Sequence, residues 1–103
     1  MIYRDLLTLH IDDAGTISKR DVYAVATFID SVAIPNLAGG TQLLNSRFRF
    51  IISPAGDPIP ALGVTIVWPV YRDGKQVLVV EGLIEPHYLH GRLHHYEAVA
   101  RDV

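Results

Sequence analysis

Hydrophobic and polar positions alternate along much of this chain with the two-residue period of a strand that is wet on one side. In residues 5–12, Leu7, Leu9 and Ile11 fall on one face and Thr8 and His10 on the other, and Asp13-Ala14-Gly15 follows as a turn. Residues 22–30 set Val22, Ala24, Ala26 and Phe28 against Tyr23, Val25, Thr27 and Ile29. Both sides are largely apolar, so this strand is predicted to be buried on both faces or packed at an interface. Its Val, Tyr, Thr, Phe and Ile outweigh the alanines that would favour a helix. Residues 47–53 put Arg47 and Arg49 on one face and Phe48 and Phe50 on the other. Two more strands, 63–71 and 75–84, flank Asp73-Gly74, a dipeptide suited to a tight hairpin. A last strand, 92–100, is set off by Glu85-Pro86 and by His90-Gly91.

Two stretches break the alternation. Residues 31–46 carry Pro35, Gly39 and Gly40 and have no clean period, which predicts a long connection with room for a short helical turn. That stretch holds Val32, Ile34, Leu37, Leu43 and Leu44, more apolar surface than a solvated loop needs, so these residues are the candidates for docking onto a neighbour. Residues 54–60 contain Pro54, Gly56, Pro58 and Pro60 and predict a stiff loop. The pattern as a whole predicts one all-β domain over residues 1–103. It is a small barrel or sandwich of about six short antiparallel strands with long loops, closed so that strand edges are protected.

Composition narrows the function classes. The 103 residues are 50% hydrophobic and 19% charged, enough apolar content to fold. Cysteine is absent, which removes disulfides, thiolate metal ligands and thiol nucleophiles. The N-terminus lacks the order of a signal peptide and no apolar run approaches a membrane span, so a soluble, unprocessed protein with no membrane contact is expected. A net charge of −2 with only two lysines, Lys19 and Lys75, argues against affinity for nucleic-acid phosphates. The Arg47-Phe48-Arg49-Phe50 run does not reverse this, because its charges and rings lie on opposite faces.

Catalytic groups do not assemble in the sequence. The serines lack a glycine-flanked elbow, Asp12-Asp13 reads as turn chemistry, and Ala38-Gly39-Gly40-Thr41 lacks the lysine and spacing of a phosphate-binding loop. No catalytic residue, metal ligand or cofactor is assigned, and the protein is not expected to be an enzyme. His87, His90, His94 and His95 cluster near the C-terminus. On a strand His94 and His95 face apart, so a metal site would need one of them, His87 or His90, and Glu85 or Glu97. The plainer expectation is that these histidines pack and hydrogen-bond. A small metal- or ligand-binding barrel built on them is kept as the alternative from another class.

The C-terminal half carries a resemblance. The apolar strand Gly63-Val64-Thr65-Ile66-Val67-Trp68, the Asp73-Gly74 turn, the return strand Lys75-Gln76-Val77-Leu78-Val79-Val80-Glu81 and then Gly91-Arg92-Leu93-His94-His95-Tyr96-Glu97 follow in order. Together they resemble the small head-closure proteins, also called head-to-tail connectors or stoppers, of long-tailed bacteriophages. The resemblance covers residues 47–103; the front half agrees in size and strand order. It implies a β-barrel that forms a ring of copies beneath the portal and its adaptor, retains packaged DNA and offers the tail a docking surface. Localisation in the virion neck follows, with DNA passing the channel without specific binding. Leu93, His94, His95, Tyr96 and Glu97 match the motif, and their implied role is to hold the last strand in place. Another neck or tail-terminator part is the alternative within that class.

Overall fold

The structure, a computed structural model, describes residues 2–35, 42–71 and 77–102, with 32–35 and 42–45 described as backbone. Among them there is no helix. The strands are β1 (Asp5–Asp13), β2 (Thr16–Pro35), β3 (Gln42–Ile52), β4 (Val64–Val67), β5 (Val77–Leu89) and β6 (Arg92–Asp102). They close into a barrel in the order β1-β2-β3-β6-β5-β4, every pairing antiparallel, so the predicted barrel is observed and the sandwich is not. Closure leaves the short β4 hydrogen-bonded on both sides, between β1 and β5.

The alternation read from sequence supplies the core. Leu7 and Leu9 of β1, Val22 and Ala24 of β2, Phe48, Phe50 and Ile52 of β3, Ile66 of β4, Leu78 of β5 and Tyr96, Ala98 and Ala100 of β6 all point inward and are buried. Ile59, from the proline-rich loop, caps one end, where Tyr96 Oη accepts a hydrogen bond from its backbone N–H at 3.2 Å. Phe48, Phe50, Trp68 and Tyr71 fill the other end: Trp68 meets Phe48 and Phe50 edge-on, Tyr71 meets Phe48 edge-on, and Trp68 stacks flat on Tyr71 at 4.9 Å.

Several expectations change. β2 is not buried on both faces: Tyr23 is 55% and Ile29 37% exposed, because only the side carrying Val22 and Ala24 turns into the barrel. Within the predicted connection over 31–46, residues 31–35 and 42–46 are instead strand, and 36–41 lie outside the described residues. β2 and β3 stay paired from Ser31↔Ser46 to Pro35↔Gln42, a two-stranded ribbon in which each strand pairs with the other alone. Glu85-Pro86 does not end a strand, since β5 runs on to Leu89; a proline is tolerated there because β5 pairs at that level with β6 alone. β4 stops at Val67 and the chain turns, with Tyr71 N–H donating to the Trp68 carbonyl. The first turn is the pair Ala14-Gly15, with Asp13 still in β1. Asp73-Gly74 lies outside the described residues, though the β4–β5 pairing it was predicted to join is present.

Registers also set the direction of each element. β3 meets β6 from Arg47↔Arg101 to Ile52↔Tyr96, so β6 enters the barrel where β3 leaves it. The β2–β3 ribbon therefore projects from one end and the β5–β6 hairpin, turning at His90-Gly91, from the other. The longest dimension of the molecule, 53 Å, is well over twice its shortest, 23 Å.

Candidate functional site

Two surfaces stand out, one at each end. At the first, the root of the β2–β3 ribbon is tied down by polar contacts. Arg47 makes a two-pronged contact with Asp30, Nε to Oδ1 at 2.8 Å and Nη2 to Oδ2 at 2.7 Å, and its Nη1 reaches Glu81 on β5 at 3.3 Å. These hydrogen bonds hold the Asp30 carboxyl below its usual range and raise Arg47 further above its own. Beside them, the fully buried Asp102 accepts from Ser46 N–H at 2.9 Å and from Tyr71 O–H at 3.1 Å, while the Ser31 and Ser46 hydroxyls meet at 3.0 Å. A bulge between Phe28 and Asp30 redirects β2 as it leaves the barrel. The ribbon is thus a fixed projection at its base.

The docking candidates divide accordingly. Val32 and Ile34 lie on β2 and Leu43 and Leu44 on β3, as the ribbon pairs Ala33↔Leu44 and Ile34↔Leu43; Leu37 lies outside the described residues. The ionic collar at the ribbon's root was missed in the sequence, because Asp30, Arg47 and Glu81 come from three strands and only their registers bring them together.

At the other end, β5 and β6 build a cluster of imidazoles and carboxylates. The hairpin starts in phase, Leu89↔Arg92 and Tyr88↔Leu93, then slips by one residue so that His87 faces His95 and Glu85 faces Glu97. His94 is the extra residue in that bulge. Without the slip, His87 would oppose His94 and Tyr96 would stand on the outer face. With it, Tyr96 turns into the core, and Glu85, His87, His95 and Glu97 share the outer face as two adjacent cross-strand pairs. His87 Nε2 lies 2.7 Å from Glu97 Oε2 and 4.0 Å from Glu85 Oε2, and His95 Nε2 is 3.6 Å from Glu97 Oε2. The His87 and His95 rings stack at 4.9 Å, and His95 Nδ1 meets His94 Nδ1 at 2.8 Å.

The expectation that His94 and His95 face apart does not hold: in the bulge their Nδ1 atoms meet at 2.8 Å and their rings lie 5.0 Å apart, because the extra residue breaks the alternation. Of the combinations that expectation left open, the structure brings together His95, His87 and Glu97. His90 sits in the turn with a left-handed φ of 51°. Leu93 packs on the core from its edge, Tyr96 is inside it, and His94 is exposed. No family model matches the chain, and neither a curated protein nor a solved structure matches it.

Proposed function

We propose that this chain is a structural part of a tailed-phage head-to-tail connector, of the head-closure or stopper kind. The observation that carries the reading is the pair of ribbons extending from opposite ends of one closed barrel, since a ring layer between two other layers needs contacts in both directions. The portal and adaptor proteins lie on one side in this reading and the tail proteins on the other. Apolar side chains stand exposed where such contacts would form: Phe28 and Ile29 at the root of the first ribbon, Leu83, Tyr88 and Leu89 along the second. The waist also exposes Leu6, Tyr23, Val77 and Val79, a surface for neighbouring copies in the ring, whose interface must be heterologous and must close. The role requires no catalytic step, and a net charge of −2 suits a conduit through which DNA slides without adhering.

The test begins with the DNA flanking the gene, because assembly genes of tailed phages lie together. Portal, capsid and tail genes on either side support the reading, and metabolic or regulatory neighbours overturn it. With the neighbouring portal and adaptor purified, electron microscopy of the mixture should show an added ring. Tyr88→Asp should abolish that ring while leaving the thermal unfolding of the free chain unchanged, since Tyr88 is 66% exposed.

A further inference from the structure

We infer that the outer face of the β5–β6 hairpin is a Zn²⁺ site, with His87 Nε2, His95 Nε2 and a Glu97 carboxylate oxygen as ligands. The three ligand atoms lie within 4.8 Å of one another. In tetrahedral Zn²⁺ sites, with bonds near 2.0–2.1 Å, ligand atoms stand about 3.3 Å apart. The separations of 2.7 and 3.6 Å from Glu97 Oε2 to the two imidazole nitrogens bracket that spacing. The two rings, now within 8° of parallel, must open so that their lone pairs converge, and their positions outside the core leave room for it. Glu85, 4.0 Å from His87 Nε2, is the nearest candidate for a fourth ligand.

Two features favour a cation over a purely structural cluster. Glu85 and Glu97 stand directly opposite each other, an arrangement of like charges that weakens a strand pair unless positive charge lies between them. His94 Nδ1 engages His95 Nδ1, and with His95 as the donor its Nε2 presents the lone pair a metal takes, in the manner of the outer partners that orient metal-binding histidines. Two nitrogens and one or two oxygens select Zn²⁺ and its transition-metal neighbours over Mg²⁺ and Ca²⁺, which take all-oxygen sites. The cluster borders a groove of about 450 Å³, walled further by Arg49, Glu81 and Leu83, so the ion is reachable from solvent. The site ties β5 to β6 at the level where β6 parts from β3, Ile51↔Glu97 and Ile52↔Tyr96 being the last pairs between them, and so fixes the geometry of the projecting ribbon at its base.

The experiment uses the full chain without an affinity tag, stripped with chelator and titrated with Zn²⁺ in competition with a chromophoric chelator. Binding of one equivalent is expected. His87→Ala, His95→Ala and Glu97→Ala should each weaken it by no less than the roughly 10- to 100-fold that losing an outer partner costs. His90→Ala, in the adjacent turn, should bind as the parent does. Histidine NMR signals read the same point: one equivalent of Zn²⁺ should shift His87 and His95 and leave His90 in place. Circular dichroism of the metal-free variants, expected to match the parent, keeps loss of binding separate from loss of fold. Sub-stoichiometric binding by the parent overturns the assignment. So does binding that survives both His87→Ala and Glu97→Ala, or that disappears in His90→Ala.

Discussion

Ile66→Ala tests whether the barrel depends on its shortest strand. β4 contributes only Val64–Val67, yet it alone joins β1 to β5. Ile66 sits at the centre of a row in which Leu9, Ile66 and Leu78 pair in turn across three strands, all fully buried. Truncation to alanine removes three carbons, about 2.4 kcal/mol at roughly 0.8 kcal/mol per methylene. The space vacated, up to roughly 80 Å³ at about 24 cal/mol per Å³, adds as much as about 2 kcal/mol if the walls do not collapse. The walls here are strands bonded on both sides, so little collapse is expected, and the loss should fall at about 2.5–4.5 kcal/mol. Against a total of about 5–15 kcal/mol for a domain this size, that is a large share. The melting temperature should drop by roughly 10–30 °C.

Urea unfolding followed by the fluorescence of Trp68, the sole tryptophan, measures the loss, and Ile66→Val should cost about 0.5–1.5 kcal/mol in the same assay. Ile17→Ala, at a position 62% exposed, should stay within about 0.5 kcal/mol of the parent. An Ile66→Ala loss below about 1 kcal/mol with an unchanged m value would refute the reasoning, because it would mean the β1–β5 seam repacks without β4.

Other consequences follow from single contacts. Gly63 has φ +76° and its would-be Cβ lies 2.8 Å from the Asp12 carbonyl oxygen, while Gly91 has the same φ with open space around it. Gly91→Ala should therefore cost about 1–2 kcal/mol by backbone strain alone. Gly63→Ala should cost at least about 1 kcal/mol more, since it also disturbs the Asp12 N–H bond to Gly63; equal melting temperatures for the two variants would contradict this. Tyr96→Phe removes the acceptor of the buried Ile59 N–H and should lower stability by about 1–3 kcal/mol, checked by urea unfolding, with hydrogen exchange at Ile59 accelerating. The lowered pKa of Asp30 means its contribution is present above the ordinary carboxylate range and is lost as pH falls through the lowered folded-state value. In Arg47→Gln the Asp30 carboxyl carbon, followed by NMR, should titrate at a higher pH than in the parent; an unmoved midpoint would show that Arg47 is not the cause.

The parts of the fold legible in sequence are those where one face is buried and the other wet. Leu7-Leu9-Ile11 and Phe48-Phe50 announce their strands because the barrel demands the alternation. The ribbon of 31–35 and 42–46 was illegible because its sequence has no clean period and carries Pro35; the strands there pair with each other alone, outside the barrel's ladder. β5 misled through its proline. Glu85-Pro86 reads as a strand end, yet the strand continues past it; the register shifts by two residues between Glu81 and Glu85, so Ile84 keeps the inward phase of Leu78. The histidine cluster was legible as a choice among partners, and its solution needed the second slip, at His87 and Tyr88, which no propensity scale encodes.

That second slip connects the core to the surface. A single extra residue, His94, decides two outcomes at once: Tyr96 enters the barrel, where its hydroxyl holds the loop that caps that end, and the outer face receives His95 and Glu97 opposite His87 and Glu85. Core packing alone accounts for the inward half of this arrangement, because any outer residues would serve a buried Tyr96 equally well. It does not account for four consecutive outer positions that are all imidazole or carboxylate, two of them like-charged and face to face. The ring reading and the metal reading also meet here. Beyond the barrel the β5–β6 hairpin is two strands without a third, a form that is at best marginally stable unsupported, yet a docking element must hold its shape before the partner arrives. At the opposite end the Arg47–Asp30–Glu81 collar anchors the root of the β2–β3 ribbon. The zinc site would be its counterpart, restraining the second ribbon by a cross-strand tie.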